Sequence, residues 1–99
     1  MEVINLNEKA RFGEQFSPQI LKINQSYKIP FICMKPSQEI PPHPSGTGVF
    51  YIVSGKAIMT VEGKETEVKS GDMIFVEKGE SRGIRAIETL MAFAMHINA

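Results

Sequence analysis

Ninety-nine residues bound the protein to one domain, 1–99, with room for a single core. Eleven Lys and Arg balance eleven Asp and Glu, which argues against nucleic acid as a partner. No run approaches the roughly 18 apolar residues of a membrane helix. The N-terminal Met-Glu-Val-Ile-Asn-Leu lacks a signal peptide's basic-then-apolar pattern, and the lone Cys33 excludes an internal disulfide. A cytoplasmic protein with neither nucleic acid nor membrane among its partners is expected.

Gly, Pro, Ser and Asn punctuate the chain every several residues, the spacing of short strands joined by turns. Val3–Leu6 predicts a leading strand. Glu8–Phe16 carries Phe12 and Phe16 at i, i+4, but Gly13 interrupts it, so one helical turn at most is expected. Gln19–Asn24 and the apolar Lys28–Lys35 predict strands, the latter stopped by Pro36-Ser37. Gly48–Val53 is rich in β-branched and aromatic residues and ends at Ser54-Gly55. In Lys56–Glu62, Ala57, Met59 and Val61 alternate with polar positions, and a turn at Gly63-Lys64 returns the chain through Lys64–Lys69. Met73–Val76, Arg82–Glu88 and Leu90–Ile97 complete the set. About eight strands and little or no helix imply an all-β sandwich or small barrel with a cavity near its mouth.

Two segments carry a resemblance. Met34-Lys35-Pro36-Ser37-Gln38-Glu39-Ile40-Pro41-Pro42-His43, continued by Phe50-Tyr51-Ile52-Val53-Ser54-Gly55, resembles the first motif of the cupin family (about 34–55). Gly71-Asp72-Met73-Ile74-Phe75-Val76-Glu77-Lys78-Gly79-Glu80-Ser81-Arg82 resembles the second (about 71–86). The resemblance implies a double-stranded β-helix, or jelly-roll, barrel that is usually a homodimer. It also implies a pocket in which three histidines and a glutamate hold a divalent metal such as Zn, Fe, Mn or Ni. The chain departs from that pattern. Counting from Pro36-Ser37 makes His43 the first motif histidine, with Ser45 at the second; counting back from Gly55 makes it the second, with Pro41 at the first. The upstream count is favoured, because Pro-Ser stands in for the family's Pro-Gly turn. Gly48 stands at the glutamate position, Arg82 at the motif-two histidine, Glu77 at the motif proline and Ala86 at the asparagine.

These departures set two functional expectations. The first is a module binding a small molecule, an anion by preference, with His43 and Arg82 at the mouth and Phe50 and Ile52 in the wall. The second is a metal-dependent enzyme, dioxygenase- or isomerase-like, whose rebuilt site retains His43 and His96 as metal ligands. Arg82 reads either as an anion anchor or, by default, as a surface arginine or one paired with Glu39 or Glu80. Strand parity leaves open whether His96 shares the inner row with Ala92 and Ala94 or lies outside with Met91, Phe93 and Met95 inward. Cys33 reads as a buried small hydrophobe. A homodimer is expected from near-zero net charge, from the apolar Val3–Leu6 needing an edge, and from a last strand apolar on both faces.

Overall fold

The computed structural model describes residues 1–98. A four-residue helix α1 (Leu6–Lys9) precedes nine strands: β1 (Gln19–Ile23), β2 (Tyr27–Met34), β3 (Glu39–Pro44), β4 (Thr47–Ser54), β5 (Lys56–Val61), β6 (Lys64–Lys69), β7 (Met73–Val76), β8 (Ser81–Ala86) and β9 (Leu90–Ile97). Every pairing is antiparallel. The strands form a five-stranded sheet, β1-β2-β9-β4-β7, and a four-stranded sheet, β3-β8-β5-β6. This is the expected all-β double-stranded β-helix. Among the described residues no helix is long and apolar enough to cross a membrane.

The N-terminal expectation is corrected. Val3–Leu6 is not a strand; Asn5 instead opens α1, its Oδ1 accepting a hydrogen bond from the Glu8 backbone N–H at 3.1 Å. A short acceptor at the first position, followed three residues later by Glu, is a helix-start signal that outweighs two β-branched residues. The helix ends at Lys9, before the Phe12/Phe16 pair. Gln38 then ties down the incoming chain, its Nε2 donating to the carbonyls of Gly13 (2.8 Å) and Glu14 (3.0 Å). That anchorage delivers Phe16 to the edge of the core.

β3 forms where three prolines argue for a loop. It is an edge strand, where a missing N–H harms no ladder. Pro41 and Pro42 sit in a bulge between the pairs Ile40↔Ile84 and His43↔Arg82. β8 passes close beneath through Gly83: a Cβ there would lie 2.6 Å from the Pro42 nitrogen and 2.7 Å from the Ile40 carbonyl oxygen. Only glycine admits this approach, and it holds His43 directly across from Arg82.

The core lies between the sheets. Ile32, Met34, Phe50, Ile52 and Leu90 from one sheet meet Ala57, Met59 and Ile84 from the other, all buried. Each large apolar side chain so buried contributes about 1.5–3 kcal/mol relative to exposure. Along β9 the inner row is Leu90, Ala92 and Ala94, which settles the parity question and turns His96 inward at the end of the row. The outer row is Met91, Phe93 and Met95, and its last two join Val49, Tyr51 and Met73 in an apolar patch on the outside of the five-stranded sheet. Tyr51 and Phe93 pack there with ring centroids 5.6 Å apart.

Candidate functional site

The site follows from register. Gly48 on β4 pairs with His96 on β9 and Val76 on β7, and His96 also pairs with Lys28 on β2. One rung of the five-stranded sheet therefore reads Lys28–His96–Gly48–Val76. In the opposite sheet the rung reads His43–Arg82–Val61. The two rungs face each other at one end of the sandwich. Around them opens a cavity of about 700 Å³ lined by His43, Arg82, His96, Lys28, Glu39 and Ser45 among polar residues, with Phe50, Ile32, Ile40, Ile20 and Ile23 among apolar ones.

Arg82 is the centre of this arrangement. It is 2% exposed, the one buried charged residue of the described chain, so the surface reading is overturned. Nor does it pair with a carboxylate. Its Nε donates to the Glu80 carbonyl oxygen (2.8 Å), and Nη2 donates to those of Glu77 (2.9 Å) and Ser45 (3.4 Å). The Glu80 carboxylate is occupied elsewhere, accepting from the Glu77 N–H at 2.7 Å. Three backbone carbonyls thus fix the guanidinium plane, while Nη1 is buried and makes no hydrogen bond to the described residues. Nη1 lies toward Gly48, where a Cβ would stand 3.9 Å from it. An unpaired buried N–H of a charged group is among the most expensive features a fold retains, so it marks a place where a partner belongs.

The imidazoles flank it. His43 is exposed on β3, with Nδ1 3.0 Å from the Pro41 carbonyl oxygen; a carbonyl only accepts, so Nδ1 donates and Nε2 is free. His96 is half-buried, its ring edge-on to Phe50 with centroids 6.2 Å apart. Burial first, then the positive charges of Lys28, Arg82 and His43, hold the His96 pKa below its ordinary 6.5. At neutral pH, His96 is a neutral donor-acceptor beside a fixed guanidinium charge. Phe50 lies in both core and cavity wall, whereas Ile52, fully buried one step deeper, is core alone.

Residues 30–97 match the cupin domain family. The chain belongs to the cupin family. No curated protein matches it in sequence. Among solved structures it resembles an RmlC-like cupin from Desulfovibrio desulfuricans (TM-score 0.90, 20% identity, covering 98% of this chain and 96% of that one). It also resembles a conserved protein of unknown function from Streptococcus pyogenes (0.87, 23%, 99% and 88%). A third likeness is to an uncharacterized double-stranded β-helix protein from Klebsiella pneumoniae (0.88, 19%, 98% and 90%). At these identities the likeness shows the fold alone.

Measured against a cupin metal centre, the residues present do not fit. Such a centre needs about three protein ligands. Of the four motif positions at most His43 offers one, and His96 adds a second from outside the motifs. Among the described residues no group of three or more His, Cys, Asp or Glu could hold a metal ion. Arg82 brings a positive charge to the place a cation would occupy. The glycine at position 48 leaves the space that its guanidinium faces. This cupin carries a built-in cation at its cavity floor.

Sequence reasoning reached His43, His96, Arg82 and Phe50. It missed Lys28 and the apolar side chains of Pro18–Ile23, which close over the mouth through tertiary packing that no local motif signals. It also missed Ile40, hidden in a proline-rich strand.

Proposed function

We propose that this cupin is a small-molecule-binding module that takes an anion into the barrel, with Arg82 as its anchor. The observation behind this reading is Arg82, which lines the cavity and whose buried Nη1 has no hydrogen-bond partner among the described residues. Lys28, His43 and His96 add positive or protonatable groups to the same lining, against a single carboxylate, Glu39. An anion seated there would satisfy the orphan donor by a charge-assisted hydrogen bond.

Thermal unfolding with and without small carboxylates and inorganic phosphate tests this. A binding anion at about 100 times its Kd stabilises the fold by about 2.7 kcal/mol. The effect should strengthen as pH falls. Burial and then positive neighbours depress the His96 pKa, so a bound anion raises it, the complex takes up a proton, and affinity rises as pH falls into the range where His96 protonates. Without ligand the sign reverses: the unfolded chain binds the His96 proton more readily, so stability is full above the ordinary value and declines below it. No stabilisation by either class of anion would contradict the reading.

The same reading includes self-association. One of the sequence arguments for a dimer falls, because Val3–Leu6 is no strand, while another, a last strand apolar on both faces, is met by the outer row of β9. What supports a dimer is the outer patch of the five-stranded sheet, where Phe75 is 68%, Met73 56% and Met95 39% exposed. Sedimentation should give a dimer, and Phe75→Lys with Met73→Lys a monomer; a monomeric wild type at tens of micromolar (roughly the range for a working homodimer) would exclude it.

A further inference from the structure

The anion reading leaves the chemical class of the ligand open, and the shape of the cavity narrows it. We infer that the ligand is an amphipathic monocarboxylate, bound head-first, its carboxylate on Arg82 Nη1 and its apolar body against the mouth. This inference rests on the proposed anion site.

The first argument is the donor count at the floor. Two of the three guanidinium nitrogens are spent on the carbonyls of Glu80, Glu77 and Ser45, so only Nη1 remains for a ligand. A phosphate or other polyanion is ordinarily held by several convergent donors, a bidentate guanidinium or a run of backbone N–H groups. The sequence has no glycine-rich phosphate loop to supply them. One guanidinium edge beside the imidazole of His96 matches a single carboxylate. Glu39, in the same lining, repels a dianion about twice as strongly as a monoanion at the same place.

The second argument is the distribution of polarity along the cavity. Arg82, at 2% exposure, lies at the bottom. At the opening, beside the exposed Lys28, Glu39 and His43, three isoleucines stand unusually open to water: Ile23 is 64%, Ile20 46% and Ile97 41% exposed. A head-first amphiphile lays its hydrocarbon against these side chains and removes them from water. The volume of about 700 Å³ falls in the range of pockets that hold drug-sized ligands, far above what acetate or phosphate fills.

Calorimetric titration of the full chain with acetate, benzoate, 4-phenylbutyrate, 4-phenylbutanol and inorganic phosphate tests the assignment. Affinity is expected to rise about 100-fold from acetate to 4-phenylbutyrate as apolar area is buried. The alcohol should bind at least about 100-fold more weakly than the acid, because it leaves Nη1 uncharged-partnered. Ile23→Asn, an uncharged change at a 64% exposed mouth position, should weaken 4-phenylbutyrate about tenfold while changing acetate far less. Phosphate binding tighter than every carboxylate, or equal affinity across the carboxylates, would overturn the ligand class while leaving the anion site intact. Absence of binding by any anion, or an alcohol as tight as its acid, would overturn both.

Discussion

Arg82→Met is expected to remove anion binding and to destabilise the fold by about 3 kcal/mol, the scale of losing a buried hydrogen-bonded charge. Methionine keeps the stem of arginine in the same channel, so the loss is not chiefly one of packing. It comes from the carbonyls of Ser45, Glu77 and Glu80, which accept from Arg82 and would be left to water or to nothing. Those carbonyls belong to the segments that enter β4 and β8, so Arg82 is also a clasp between the two motif regions. Arg82→Lys separates the two roles. An ammonium keeps the charge but lacks the planar fork, and it cannot serve three carbonyls and the cavity at once. The lysine variant should recover part of the stability and little of the affinity. Urea unfolding reports the first quantity and calorimetry with benzoate the second. If Arg82→Met binds benzoate as the wild type does, Arg82 is a structural clasp alone.

The sequence carried most of the fold and about half of the site, for identifiable reasons. Eight predicted strands form within a residue or two of their expected ends, because alternation and turn residues are local signals. β3 escapes this logic: its prolines argue against a strand, and only its place at a sheet edge makes them harmless. The inner row of β9 is undecided by pattern because both rows are apolar. Packing decides it, since Ala92 and Ala94 are fully buried where the layers meet, while the bulkier Met91, Phe93 and Met95 lie on the open outer face. Arg82 could be placed at the motif-two position but not recognised as buried. Its three acceptors lie 2, 5 and 37 residues away in sequence, and no periodicity announces such a set. The cavity mouth was invisible for the same reason, being assembled from β1, β3 and the end of β9.

The pairing of Gly48 with Arg82 gives the most discriminating test of the site's logic. Gly48→Asp is expected to lower carboxylate affinity about 100-fold, a change of about 2.7 kcal/mol. The backbone admits the substitution: a Cβ at position 48 meets the Met95 carbonyl oxygen at 3.5 Å, Val76 Cγ2 at 3.6 Å and Arg82 Nη1 at 3.9 Å, ordinary contact distances. From that Cβ an aspartate carboxylate reaches Nη1 directly and occupies the place assigned to the ligand's head. An internal carboxylate then satisfies the orphan donor permanently, so the variant should unfold at no lower urea concentration than the wild type while losing its ligand. Gly48→Asn is the control. It fills the same space without charge, so a smaller loss than in the aspartate variant assigns the effect to electrostatics, whereas equal losses assign it to bulk. Undiminished affinity in Gly48→Asp would place the anion elsewhere in the cavity. In this cupin a glycine opposite an arginine stands where the family pattern has a carboxylate opposite an imidazole, and on the proposed reading that exchange turns a cation site into an anion site.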